Sequence, residues 1–281
     1  MRRDRLFGFL ALAAALALTY GVWWEIGRPH AVVDAPAGPI DCVSYTPFRD
    51  AETPFDPTLV VPPERIEADL IALKPVSNCV RIYATNQGLA AVPEIAQRLG
   101  MEVLLGIWIG GEPPANRLQV DAAIDLARTY PDAVRAIIVG NEVLLRGEQT
   151  PETLAALMRE VRAATGKPVT YADVWEFWLR APQSLAEAAD FITIHVLPYW
   201  EDHPVAASNG VPHLEAVLRE VEAKFGHKPI LLGETGWPSA GRERDGAIPG
   251  RLEQATYLRQ FLVYAHERGL DYNLIEAFDQ P

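Results

Sequence analysis

Two glutamates sit in matching local contexts. Glu142 closes the run Ala136-Ile137-Ile138-Val139-Gly140-Asn141-Glu142. Glu234 closes Pro229-Ile230-Leu231-Leu232-Gly233-Glu234. Each carboxylate follows an apolar run and a glycine, so each is expected at the tip of a buried strand. Carboxylates held about 5–5.5 Å apart across a glycosidic bond cleave it with retention of configuration. One, ionised, attacks the anomeric carbon. The other, kept protonated by its neighbours, gives a proton to the leaving oxygen and later takes one from the acceptor. A lone glutamate in such a place reads equally as an ion-pair partner of arginine; two in matching contexts favour the chemistry.

Aromatic residues gather near these carboxylates in the chain. Outside the N-terminal segment the tryptophans are Trp108, Trp175, Trp178, Trp200 and Trp237, each at or just after the end of an apolar run. Core-filling tryptophans would be scattered, whereas a cluster at one rim suits stacking on the apolar faces of sugar rings. The competing reading is that some only pack loops. Trp237 is the foremost candidate platform. Tyr45 and Tyr83 are expected to line the subsite where the bond breaks. Arg81 is placed to hold a glutamate ionised, Tyr199 to hydrogen-bond and orient Glu234, and Glu276 to bind a sugar hydroxyl or form an ion pair. His195 reads more readily as a satisfied strand-end group, and Asp173 as structural or as a ligand contact. Arg242, Glu243, Arg244 and Asp245 read as a solvated flap.

Such residues need a frame that brings strand tips together. Strand-like runs fall near 40–45, 78–83, 102–108, 134–140, 168–173, 190–196, 228–234 and 271–277, about 33 residues apart, with helical patterns between them. Thr150-Pro151-Glu152 reads as a helix N-cap, first-turn proline and acidic first turn. Eight such units predict an α/β protein, a closed (β/α)8 TIM barrel over residues 40–281, with its chemistry at the C-terminal ends of the strands. Strands four and seven then face each other across the mouth. No GxGxxG follows the first strand and no phosphate-binding loop is present, which disfavours a dinucleotide fold. The six histidines show no metal-ligand spacing, so no cofactor and no metal are expected. The eighth strand ends near Phe278, leaving no eighth helix. Apolar surface is therefore expected beside strands one and eight.

The chain ahead of the barrel reads differently. After basic residues at the start, Leu6–Trp24 is uncharged and spans about 28 Å as a helix, enough for a bilayer core. Residues 1–24 read as a membrane anchor or a cleaved signal, and 25–39 as a linker. The basic start would stay in the cytoplasm, placing the barrel on the extracytoplasmic, periplasmic side, or secreted after cleavage. The net charge of −12 argues against nucleic acid as a partner. A monomer is expected. Cys42 and Cys79 start strands one and two at the end of the barrel away from the chemistry; a disulfide and buried free thiols are equally open there.

The stretches Gly233-Glu234-Thr235-Gly236-Trp237-Pro238-Ser239 and Val139-Gly140-Asn141-Glu142-Val143, with Val80-Arg81-Ile82-Tyr83 and Val43-Ser44-Tyr45, resemble glycoside hydrolase family 17, the β-1,3-glucanase family. The resemblance covers about residues 40–281. It implies a (β/α)8 barrel, retaining chemistry and β-1,3-glucan-type substrates. It implies Glu142 as general acid/base, Glu234 as nucleophile, and Asn141 on the substrate 2-hydroxyl. Similar bacterial chains are often membrane-anchored, and several are glucanosyltransferases. The readings that stand against this are the same machinery on another β-glycan and a non-catalytic glycan-binding barrel.

Overall fold

The computed structural model describes residues 2–28 and 31–279. It divides into two units, Met1–Val33 and Asp34–Pro281. The first carries helix α1 (Arg2–Ile26). Its stretch Leu6–Ile26 is 21 residues long with a mean hydropathy of 1.9, and its side chains are exposed. That is long and apolar enough to cross a membrane, a test that signal sequences also pass.

The second unit is a closed barrel of eight parallel strands in the order β1 to β8. These are β1 (Cys42–Ser44), β2 (Cys79–Ile82), β3 (Glu102–Ile107), β4 (Val134–Asn141), β5 (Val169–Val174), β6 (Ile192–His195), β7 (Ile230–Thr235) and β8 (Asp271–Leu274). Helices α2 (Pro63–Leu73), α3 (Val92–Leu99), α4 (Pro113–Thr129), α5 (Pro151–Thr165), α6 (Trp175–Arg180), α7 (Gln183–Ala188), α8 (Gly210–Phe225) and α9 (Arg251–Arg268) fill the connections. α5 starts as its sequence dictates: Thr150 caps it, accepting from the Thr153 N–H, with proline in the first turn. Gly166 ends it in a left-handed conformation.

Strand alternation sends every second side chain inward. At the lower end of the barrel these are mostly apolar: Cys42, Cys79, Leu104, Ala136, Ile138, Ala172 and Leu231 pack together. Cys42 and Cys79 form a disulfide there, with Cα atoms 4.5 Å apart. Further up, the inward positions turn polar with Ser44, Arg81, His195 and Asn273, all buried. Asn273 donates to the Ser44 hydroxyl and to the Gly233 carbonyl, each at 2.8 Å. The interior is therefore mostly apolar toward one end and more polar toward the other, where Arg81, His195 and Asn273 converge.

Among the described residues no helix follows β8. The apolar surface expected beside β1 and β8 is largely covered, which corrects that reading. The outward-facing Val43 and Leu274 are buried. Residues 275–278 turn back over β1: the Ala277 N–H donates to the Ser44 carbonyl, and Phe278 packs edge-on against Tyr45. Chain 35–41 lies along α9 and Tyr272, leaving a groove of about 460 Å³ rather than an open face.

Candidate active site

Pairing registers slip at the strand ends that carry function. β4 shifts against β5 between Ile138 and Asn141, and β6 against β7 between Ile194 and His195. Such irregularities re-aim side chains next to active sites. Gly140 (φ +88°) and Glu142 (φ +51°) both occupy left-handed backbone, which turns the Glu142 side chain out of strand alternation and over the mouth. Gly233 serves a different purpose. A Cβ there would lie 2.5 Å from Thr193 Cγ2 and 3.1 Å from His195 Cδ2, so only glycine leaves room for the inward-pointing histidine.

Arg81 is the hub. Its side chain is buried inside the barrel, and its guanidinium donates to the Gly233 carbonyl (2.6 Å), to Asn141 Oδ1 (2.6 Å) and to Glu234 Oε1 (3.3 Å). Tyr83 donates to the same Glu234 oxygen at 2.9 Å, and its own oxygen meets the Ser44 hydroxyl at 2.7 Å. His195 Nδ1 lies 2.8 Å from Glu142 Oε1, and Nε2 lies 3.5 Å from Glu234 Oε1. One oxygen of Glu142, one of Glu234 and a ring nitrogen of His195 all lie within 4.8 Å of one another. Two carboxylates this close match the retaining arrangement, not the 6.5–9.5 Å gap that accommodates an inverting water.

This trio also has the donor set of a cation site. Arg81 supplies a fixed positive charge there, 3.3 Å from Glu234 and 3.4 Å from His195.

Burial pushes the Glu142 carboxyl up, but the His195 hydrogen bond and the charges of His195, Arg81 and Arg146 outweigh it and hold its pKa below the usual glutamate value. The expectation that neighbours keep Glu142 protonated is thereby corrected: its surroundings are cationic. Burial and Glu234's negative charge push the Tyr83 phenol up, so it stays a hydrogen-bond donor.

The remaining residues divide into two recesses and a packed wall. Tyr45, Thr46, Phe55, Tyr83, Trp108 and Glu276 line a cavity of about 370 Å³ on the β1–β3 side. Trp108 is 38% exposed, with the Arg146 guanidinium stacked on its ring. Glu276 accepts from Thr46 at 2.5 Å. Tyr45 contributes ring only, because its hydroxyl is spent on Asp69 of α2. Glu142, His195, Trp200, Glu201 and Glu234 line a second cavity of about 460 Å³ on the β4–β7 side, where Trp200 is 43% exposed. Trp175 is half-buried, its Nε1 unpartnered among the described residues.

Two assignments change. Tyr199 does not reach Glu234: its hydroxyl donates to the Arg242 carbonyl, and Tyr83 holds the carboxylate instead. Trp237 offers no stacking face. It is 2% exposed, its Nε1 donates to the Ile248 carbonyl, and Tyr199 and Tyr257 pack against its ring. Trp178 is likewise core, against Tyr171 and Phe225. The group sequence reading undervalued is His195. Strand alternation from Thr193 was the available signal, since it points both residues inward.

Residues 42–281 match the family model described as the BtgE/BtgC glycoside hydrolase domain. The chain belongs to this family, within glycoside hydrolase family 17. Relatives of this glycoside hydrolase include a glucan 1,3-beta-glucosidase of Schizosaccharomyces pombe, 29% identical over 76% of this chain and 71% of the relative. A probable glucan endo-1,3-beta-glucosidase btgC of Aspergillus fumigatus is 26% identical over 85% of this chain, which spans only 38% of that protein. Among solved structures, the family 17 beta-1,3-glucanosyltransferase of Rhizomucor miehei is 28% identical, covers 86% of this chain and 88% of its own, and superposes with a TM-score of 0.75.

Proposed function

We propose that residues 40–281 form a retaining glycosidase that acts on β-1,3-glucan through a covalent glycosyl-enzyme intermediate. The observation that carries this reading is the pair Glu142 and Glu234 with oxygens within 4.8 Å, inside a family of glycoside hydrolases whose relatives are named for β-1,3-glucan. Glu234, ionised beside Arg81 and Tyr83, attacks the anomeric carbon. Glu142 protonates the leaving oxygen and then deprotonates the acceptor. Asn141, held by Arg81, turns its amide toward the substrate 2-hydroxyl. Tyr45, Tyr83, Trp108 and Glu276 line the glycone side; Trp175 and Trp200 line the side that receives the leaving or accepting sugar.

The intermediate is resolved by water or by a second sugar. Trp200, exposed beside Glu142, favours sugar. Reaction on laminari-oligosaccharides tests this directly: products longer than the substrate establish transfer, shorter ones alone establish hydrolysis, and no turnover overturns the enzymatic reading. Residues 1–24 act as anchor or signal and 25–39 as linker, with the barrel working as a monomer on the periplasmic side. The buried Cys42–Cys79 disulfide fits such an oxidising compartment.

A further inference from the structure

We infer that Asp173 is a positioning residue for Glu142: it anchors the turn that holds the acid/base carboxylate over the mouth. The inference rests on the reading of Glu142 as general acid/base. Glu142 stands in left-handed backbone (φ +51°), a conformation unfavourable for a non-glycine residue that persists only where its surroundings hold it.

Those surroundings come from β5. The Glu142 N–H donates to the Ala172 carbonyl at 2.8 Å. Two residues on, the Leu144 N–H donates to the Tyr171 hydroxyl at 2.8 Å and to Asp173 Oδ2 at 3.2 Å; the Leu145 N–H reaches the same oxygen at 3.4 Å. Tyr171 donates its proton to Asp173 Oδ2 as well. The other carboxylate oxygen accepts from the Val174 N–H at 2.8 Å. Asp173 is fully buried, so every one of these bonds is made inside the protein. The ring of Tyr171 supports the near side of the turn: a Cβ on Gly140 would meet it at 3.4 Å.

Asp173 touches neither recess. It acts on the reaction through the turn, and its loss frees Glu142 to leave the position that protonates the leaving oxygen. Glu234 stands on β7 and is held by Arg81 and Tyr83, so nucleophilic attack is preserved.

This predicts a leaving-group signature. A 2,4-dinitrophenyl β-laminaribioside needs no proton at its leaving oxygen, whereas a laminari-oligosaccharide does. With full-length Asp173→Ala, kcat/KM on laminaripentaose should fall about 10- to 100-fold, part of the 10²–10⁴ that general acid catalysis supplies. On the dinitrophenyl substrate kcat/KM should change less than about threefold. Asp173→Asn, which keeps the volume and an acceptor oxygen, should restore most of the loss and guards against a folding defect in the alanine variant. Glu142→Ala is the reference and should show the same selectivity, more strongly. If Glu142→Ala discriminates but the Asp173 variants lower both substrates equally, or neither, the positioning role is overturned. If Glu142→Ala itself does not discriminate, the acid/base assignment fails and takes this inference with it.

Discussion

His195 joins the two catalytic-site glutamates: Nδ1 lies 2.8 Å from Glu142 Oε1, and Nε2 faces Glu234 at 3.5 Å. An ionised carboxylate only accepts, so the Nδ1–H of His195 donates to Glu142. This hydrogen bond and the positive charges around it lower the Glu142 pKa. Removing the imidazole in His195→Asn therefore raises it. General acid catalysis requires protonated Glu142, so the alkaline limb of kcat/KM against pH should move to higher pH. An alkaline limb that stays put, or moves down, contradicts the electrostatic role given to His195.

Tyr83, not Tyr199, holds Glu234. Tyr83→Phe deletes a hydrogen bond to a charged group, worth about 1.5–3 kcal/mol, and should lower kcat roughly 10- to 100-fold. Tyr199→Phe should leave kcat within about threefold and act on the 242 loop it anchors. Equal effects of the two variants would sink the assignment.

Much of this site is legible in the sequence, and the limits are instructive. Glu142 and Glu234 stand out because apolar runs and glycines place each at a strand tip. What a linear pattern lacks is the direction of a hydroxyl. Tyr83 and Tyr199 both follow strands, and only the closed barrel shows that β2 aims its tyrosine at β7 while β6 spends its own on a loop carbonyl. Trp237 misleads for a related reason. It lies three residues after Glu234 in sequence, but β7's following turn sends its ring among Tyr199 and Tyr257. The fold is more legible than the contacts because eight strands at even spacing, with helices between them, leave few topologies open. The cover over β1 was not legible, since the segment 275–278 has no periodicity.

The two tryptophans separate by exposure. Trp200→Ala should raise KM for an oligosaccharide acceptor about tenfold, about 1.4 kcal/mol of stacking, and leave the melting temperature nearly unchanged. Trp237→Ala should lower the melting temperature sharply, as truncation of a buried tryptophan costs about 3–5 kcal/mol. Calorimetry and acceptor titration distinguish them; the reverse pattern would mean that the burial assigned to each ring is mistaken.

The Cys42–Cys79 bridge closes a loop with a sequence separation of 37 between neighbouring strands inside the barrel. Chain-entropy arguments assign such a loop about 4 kcal/mol of stabilisation. The double variant Cys42→Ala, Cys79→Ala should lose roughly 2–4 kcal/mol in denaturant unfolding while keeping its kcat when folded, because both residues lie at the end away from the glutamates. Undiminished stability would show that the bridge does not form in the folded protein.

The central claim is that Glu234 attacks and Glu142 exchanges the proton. Azide rescue of alanine variants tests it most directly, with the anomeric configuration of the product read by NMR. Glu234→Ala should be inactive alone and, with azide, yield a glycosyl azide of inverted, α configuration. Glu142→Ala with azide should yield the retained β-azide from an activated substrate. An α-azide from Glu142→Ala, or a β-azide from Glu234→Ala, would contradict the assignment.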